Sequence, residues 1–226
     1  MISGFISYFS PIAAFDRLRS IFTEKRCPVC RTPHSNKKLL CSDCYSELIE
    51  GSVHNEEEGS HKEVYFYGPY RGLLRDLILD WKFNNNFGYS ALLSQFAAGV
   101  AESIPESSRP DIIIPVPLHP SRLRKRGFNQ SRIIGRSAAS VLGAKISDRA
   151  LVRNRKTTPQ STLSKEMRTE NIKNAFTANS TTVAGKKILL IDDVYTTGST
   201  VQECAGTLYS AGAERVEVLV LAKTLI

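Results

Sequence analysis

The chain is expected to adopt an α/β fold, a mostly parallel sheet flanked by helices, with a small N-terminal zinc ribbon ahead of it. Three observations carry this expectation. Short, continuous apolar runs at 112–114, 188–191 and 216–221 alternate with stretches of helical periodicity, as in strands covered on both faces. Four of the five cysteines fall within one 18-residue window. One of the apolar runs leads straight into two acids and a Thr/Ser/Gly turn, KILLIDDVYTTGST from Lys187. A length of 226 residues suits one domain with a small appendage, and 42% hydrophobic against 23% charged residues is enough to bury a core. Ten Pro and 14 Gly exclude a collagen-like or linker-dominated chain. No run of 18 apolar residues is present, which excludes a membrane-spanning helix.

Residues 1–15 are largely apolar but lack a basic start and a small-residue cleavage pattern, and Asp16, Arg17 and Arg19 follow at once. Residues 1–25 are therefore read as a short helical segment that packs on something, in preference to a signal peptide. The ribbon is placed at 26–50. Cys27, Cys30, Cys41 and Cys44 follow C-x2-C-x10-C-x2-C, so each pair puts two sulfurs on one tight turn, and the two pairs supply the tetrahedral thiolates of a Zn²⁺ site. Two disulfides are the rival reading, but they belong to oxidising compartments and nothing in the chain indicates export. The expected location is accordingly cytoplasmic. The zinc is expected to be structural. About 25 residues cannot build a core, and four protein ligands leave no open position for chemistry. His34 is read as a loop histidine, and Cys204, in helical register with Val201, Ala205 and Leu208, as a core residue.

Residues 51–63 contain GSVHNEEEGSH, polar, acidic and glycine-flanked, and are read as a linker or exposed loop. The main domain is placed at 64–226. A strand is expected at 64–67. Leu73, Leu74, Leu77, Ile78 and Trp81 recur at helical spacing, as do Leu92, Phe96, Ala97, Val100 and Ile104. The strand at 112–114 is closed by Pro115-Val116-Pro117. Ile134, Ala138, Val141 and Leu142 mark another helix, for which Asn129 is a candidate cap. The strand at 188–191 leads to a helix over 201–208, which Gly212 stops, and the last strand is 216–221.

The stretch from Lys187 to Thr200 carries the chemistry. The carboxyl ends of parallel strands open on the crevice where ligands bind. Gly198 permits a tight turn with exposed N–H groups, and the hydroxyls of Thr196, Thr197, Ser199 and Thr200 add donors at a helix N-terminus, an arrangement that suits a phosphate dianion. Asp192 and Asp193 would repel phosphate, so they are expected to face hydroxyls or a metal ion. The plainer alternative is a solvated acidic turn with a Ser/Thr helix cap. No Gly-Lys-Ser/Thr follows, so this is not a Walker loop.

Charge is unevenly spread. Residues 118–173 hold 14 Lys+Arg and 3 Asp+Glu, a net +11 within a chain of net +8. Eight of the 19 aromatics lie in the 25 residues from Tyr65 to Tyr89. A basic groove beside aromatics is how sequence-indifferent single-strand binders work, although most aromatics are simply core. Arg122, Arg124, Lys125 and Arg126 are the candidate nucleic-acid contacts, with a solvated basic helix end as the alternative. Lys82, between aromatics, is read either as a phosphate contact or as a solvated lysine.

IDDVYTTGST resembles the phosphoribosyl pyrophosphate (PRPP) signature of type I phosphoribosyltransferases. The resemblance implies a type I phosphoribosyltransferase-like fold over residues 64–226. It further implies that Asp192 and Asp193 hold the ribose hydroxyls at the catalytic position, that Thr196, Thr197, Gly198, Ser199 and Thr200 hold the 5-phosphate, and that Mg²⁺ rides on the diphosphate. Val116, Pro117 and Leu118, at the same sheet edge, match the loop that contacts diphosphate in that family. The polar stretch from Thr157 to Asn174, with Gln160, Arg168 and Asn171, matches its closing loop, with an ordinary exposed loop as the alternative. The four-cysteine ribbon joined to this fold, together with Trp81-Lys82-Phe83, PVPLHPSRLRKRGFNQS from Pro115 and KTTPQSTLSKEMRTEN from Lys156, is similar to the ComF family of bacterial competence proteins. That resemblance covers nearly the whole chain. It implies handling of incoming single-stranded DNA during natural transformation, with PRPP, single-stranded DNA and other DNA-uptake proteins as partners. Two other functions are weighed against it. A nucleobase salvage phosphoribosyltransferase would need a base pocket built by 64–103 and the ribbon. A PRPP-responsive regulator of duplex DNA is disfavoured because no helix-turn-helix precedes the fold.

Overall fold

The computed structural model describes residues 25–35, 39–49, 54–58, 61–84, 87–155 and 171–225. The N-terminal segment expected to be helical and most of the expected closing loop, including Gln160 and Arg168, lie outside the described residues. Contacts divide the chain into two units, 1–46 and 47–226.

In the first unit β1 (Lys25–Arg26) pairs antiparallel with β2 (Pro33–His34). The turn between them carries Cys27 and Cys30. Arg31, at φ 63, donates its N–H to the Cys27 carbonyl at 2.8 Å, and the Cys27 N–H donates to the Thr32 carbonyl at 2.9 Å. The second cysteine pair sits differently. Cys41 directly precedes α1 (Ser42–Ile49), Cys44 lies in its first turn, and the Tyr45 N–H donates to the Cys41 carbonyl at 3.0 Å. One pair is therefore held by a hairpin turn and the other by a helix start. His34 belongs to β2 and not to a loop.

The second unit begins with β3 (His54–Glu58) and β4 (His61–Pro69), which pair antiparallel. The stretch expected as a linker thus carries an edge strand and the start of its neighbour. The reason is positional. An edge strand pairs on one side only and tolerates charge, so it lacks the apolar run that reveals a central strand. There follow α2 (Gly72–Phe83), α3 (Tyr89–Glu102), β5 (Ile112–Pro115), α4 (Pro120–Arg126), α5 (Gln130–Leu142), β6 (Lys145–Ile146), β7 (Leu151–Arg153), β8 (Phe176–Ala178), α6 (Ser180–Val183), β9 (Lys187–Ile191), β10 (Val194–Tyr195), α7 (Ser199–Ser210) and β11 (Arg215–Lys223).

Among the described residues the main sheet has the order β3-β4-β11-β9-β5-β6, with β10 beside β11, and β7 and β8 form a separate antiparallel pair. From β4 to β6 every pairing is parallel. The register aligns Val64, Val218, Leu190 and Ile114 across four strands, and all four are fully buried. Each such side chain contributes about 1.5–3 kcal/mol by leaving water, which is why uninterrupted aliphatic runs select the middle of the sheet. β9 therefore lies between β5 and β11, and the segments leaving β5 and β9 emerge side by side at the carboxyl edge.

Candidate functional site

Backbone bonds fix this edge. The Val116 N–H donates to the Ile191 carbonyl at 2.8 Å, the Asp192 N–H to the Leu219 carbonyl at 3.1 Å, and the Leu221 N–H to the Asp193 carbonyl at 3.1 Å. After β10 the chain turns through Gly198, at φ 72, into α7. A Cβ on Gly198 would lie 2.2 Å from the hydroxyl oxygen of Tyr195, whose ring is buried beneath the turn. Glycine is thus required there twice, by backbone conformation and by space. The Thr197 and Ser199 hydroxyls are 2.9 Å apart. Thr196, Thr197, Gly198, Ser199 and Thr200 all line a cavity of about 660 Å³, together with Val116, Pro117, Leu118, Asp192 and Asp193. These ten residues therefore border one cavity.

The two carboxylates are held in different ways. Asp192 accepts from the Ser131 hydroxyl at 3.0 Å and from the Asp193 N–H at 2.9 Å. Its removal from water, and next the neighbouring Asp193 carboxylate, push its carboxyl up to about 7. Asp193 is buried, and Lys82 of α2 reaches both of its oxygens, at 2.9 and 2.8 Å. Lys82 also lines the cavity, and its ion pair shows that it is not a freely solvated lysine. It neutralises the second acid of the motif.

Of the four basic residues expected to contact nucleic acid, Arg122, Lys125 and Arg126 line the same cavity, whereas Arg124 is exposed and does not. Arg126 donates to Gln130 Oε1 at 2.8 Å, and the buried Gln130 Nε2 has no hydrogen-bond partner and belongs to the cavity lining. Arg75 and Arg153 complete the cationic wall. Arg153 is buried with its guanidinium 5.3 Å over the Phe176 ring, and removal from water, then the nearby Arg122 charge, pull it down to about 10. Removal from water also lowers Arg122 and Arg126. A cluster of partly desolvated guanidiniums is favourable for an anion and costly without one. Sequence reasoning missed Arg75 and Arg153 because neither lies in a motif. Arg153 ends a three-residue strand, and Arg75 sits on the polar side of a periodic helix.

The loop 116–131 is pinned at both ends of α4. His119 Nδ1 caps it by accepting from the Ser121 N–H at 3.2 Å. Asn129 caps α5 as expected, its Oδ1 accepting from the Ser131 N–H at 3.1 Å, while its Nδ2 donates to the Val116 carbonyl at 3.0 Å. The same residue thus ties the 116–118 wall to the helix that presents Ser131. The expected aromatic cluster is mostly core. Tyr65, Phe66, Tyr67, Trp81 and Tyr89 are buried, and Phe83 and Phe87 are exposed. Cys204 is fully buried on α7, as expected of a core residue.

In the first unit the sulfurs of Cys27, Cys30, Cys41 and Cys44 all lie within 4.8 Å of one another. Four thiolates around one ion at about 2.3 Å sit about 3.8 Å apart, so the cluster fits a single tetrahedral metal ion. The cysteines are unbridged. Within the cluster the thiols differ: hydrogen bonding to Thr32 pulls Cys30 down to about 6, whereas burial pushes Cys44 up.

Several known proteins are similar to this chain. Residues 129–225 match the family model described as phosphoribosyl transferase domain. The DNA utilization protein YhgH of Escherichia coli O6:H1 is 32% identical over 211 residues, covering 92% of this chain and 88% of the relative. Competence protein F of Haemophilus influenzae is 31% identical over 225 residues, covering 89% and 98%. Competence protein ComFC of Streptococcus pneumoniae is 29% identical over 200 residues, covering 88% and 81%.

Proposed function

The chain belongs to the ComF family of competence and DNA-utilization proteins, and from that premise we propose that it binds Mg²⁺-PRPP at the carboxyl edge of β9 and handles single-stranded DNA on the cations around that site, in the cytoplasm, during natural transformation. The observation that carries this reading is one cavity holding both the acidic pair with its phosphate-suited turn and five Arg or Lys side chains besides Lys82. Asp192 and Asp193 accept the ribose hydroxyls, and Thr196, Thr197, Gly198, Ser199 and Thr200 take the 5-phosphate. The wall at Val116, Pro117 and Leu118 faces the diphosphate, with Arg122 and Arg126 at hand. Mg²⁺, when bound with PRPP, offsets diphosphate charge. The four-cysteine cluster holds Zn²⁺ in a structural role, because four thiolates close its coordination.

Arg122, Lys125 and Arg126 share the cavity with the acidic pair, so DNA phosphates and diphosphate draw on the same charges. Mg²⁺-PRPP is expected to weaken DNA binding. The test pairs calorimetry with Mg²⁺-PRPP and fluorescence anisotropy with a labelled oligonucleotide. Asp192→Ala with Asp193→Ala should abolish PRPP binding and spare DNA binding. Unchanged PRPP affinity in that variant would sink the site assignment. Elemental analysis should find about one zinc per chain, lost in Cys27→Ser or Cys41→Ser.

A second reading, nucleobase salvage, is favoured by one observation. Tyr70, Leu79 and Phe83 form an apolar wall of the same cavity, where a flat base could lie. Diphosphate release from Mg²⁺-PRPP with free bases, and none with DNA, would put this reading first.

A further inference from the structure

We propose that Phe83 and Phe87 form a stacking strip at the mouth of the cavity that seats successive bases of a single-stranded nucleic acid, and that Arg126 and Phe128 fix the two rings. The proposal rests on the single-stranded DNA reading above and adds where the bases go.

Within the aromatic-rich stretch Tyr65, Phe66, Tyr67, Trp81 and Tyr89 are at most 9% exposed, whereas Phe83 is 61% and Phe87 56% exposed. Phe83 also lines the cavity, so it stands where the cavity meets solvent. Both rings are held in place. The Arg126 guanidinium lies 5.6 Å from the Phe83 centroid, and the Phe87 and Phe128 centroids are 4.8 Å apart at 53°. Phe128 in turn packs 5.7 Å from the buried Trp81, whose Nε1 donates to the Ser90 hydroxyl at 3.0 Å. Phe83 therefore meets Arg126 and Phe87 meets Phe128, two partners that flank Gly127. Gly127, at φ 82, ends α4 between the two partners. Two exposed aromatic rings flanking a cationic helix end offer faces on which a planar group stacks.

Charge selects the occupant. The last turn of α4 carries Arg124, Lys125 and Arg126, and Lys125 and Arg126 line the cavity that Phe83 borders. A nucleic-acid strand brings a π-face and a phosphate with every nucleotide, and each base type stacks, so no sequence preference results. A guanidinium over one ring adds a cation–π contact that stiffens the seat.

The test compares the wild-type chain with Phe83→Ala/Phe87→Ala on two probes, a fluorescein-labelled oligothymidylate and a strand of abasic sites with the same number of phosphates. Both rings are largely exposed, so the variant should keep the wild-type melting temperature. The wild type should bind the oligothymidylate at least about tenfold more tightly than the abasic strand. The variant should lose that preference and keep the salt slope, because the phosphate contacts remain. If the wild type binds both probes equally, or if the variant keeps the preference, the strip is overturned while the DNA reading stands. If the wild type binds neither probe at low salt, the DNA reading itself fails, and the strip with it. A variant that shifts oligomeric state by sedimentation and binds both probes as the wild type does would assign the rings to a protein contact and overturn the proposal.

Discussion

The acidic loop after β9 and the cationic wall opposite it share one cavity and are built on opposite plans. The loop is a single stretch from Asp192 to Thr200, set by backbone bonds to Leu219, Leu221 and Ala222 and by a positive φ at Gly198. The wall is assembled from α2, α4 and β7, by side chains whose sequence positions span Arg75 to Arg153. The family model reaches the loop and Arg153 but begins at Asn129, after Lys82 and the whole of α4. Backbone geometry is all or none, because one misplaced turn removes every donor at once. Side-chain charge is graded, because solvent and neighbouring cations absorb the loss of one member. Damage to the loop should therefore be steep, and damage to the wall shallow.

The steepest break is Gly198→Ala. The new Cβ meets the buried Tyr195 ring at a φ that disfavours any side chain, and we expect a loss of about 2–3 kcal/mol in stability and of about a hundredfold or more in PRPP affinity. Gly143→Ala is the control. It has a similar positive φ of 65 with nothing within 4 Å, and should cost only about 1 kcal/mol with PRPP binding intact. Denaturant unfolding and calorimetry read both. Equal effects in the two variants would remove the case that space, as well as φ, demands glycine at 198.

Next comes Lys82→Met, which cuts a direct tie between loop and wall. It leaves Asp193 buried without its cation. We expect about 1–3 kcal/mol of destabilisation, discounted because the lysine keeps some contact with water, and recovery in Lys82→Met/Asp193→Asn. The lysine also restrains the rise of Asp192, so the single variant should move the titration of Asp192 upward. Chemical denaturation across pH checks both statements.

The pH dependence sharpens the comparison from the loop side. Hydroxyl donors bind the ionised carboxylate, and Asp192 holds its proton up to about 7. PRPP affinity should therefore rise up to about tenfold per pH unit toward 7 and level off above it. The same elevation means that the folded chain retains a proton that the unfolded chain has already lost. This contribution therefore weakens the fold as pH rises from the ordinary carboxylate range to about 7. Asp192→Asn should remove both trends, and because it leaves the titration of PRPP itself unchanged, the difference between the two profiles belongs to Asp192. A profile identical in wild type and variant would disprove the assignment.

The smallest effect belongs to the wall. Arg126→Ala should weaken PRPP binding by about three- to tenfold and Arg124→Ala by less than about twofold, since only the first lines the cavity. Equal losses would mean that long-range charge, and not the cavity wall, holds the ligand.

Particular residues show how much of this was legible beforehand. The strands at 112–114, 188–191 and 216–221 are the centre of the sheet, because a strand buried on both faces must be aliphatic throughout and so announces itself. The hairpin of β3 and β4 was hidden in what reads as a linker, because an edge strand pays no penalty for His54, Asn55 and the glutamates that follow. Lys82 and Asp193 are 111 positions apart, and no local pattern joins them. Within the aromatic stretch the fold buried five rings and left Phe83 and Phe87 in water.

The sequence by itself determined the two-part organisation, the parallel core, the four-cysteine cluster and the acidic turn after β9. Each depends on residues close along the chain, where spacing alone dictates geometry. Only the tertiary structure decided which cations join the site, that Lys82 pairs with Asp193 while burial raises Asp192, and which aromatic rings face water. These depend on which distant segments the folded sheet brings within a few ångströms, and at that range charge, burial and stacking act without regard to order along the chain.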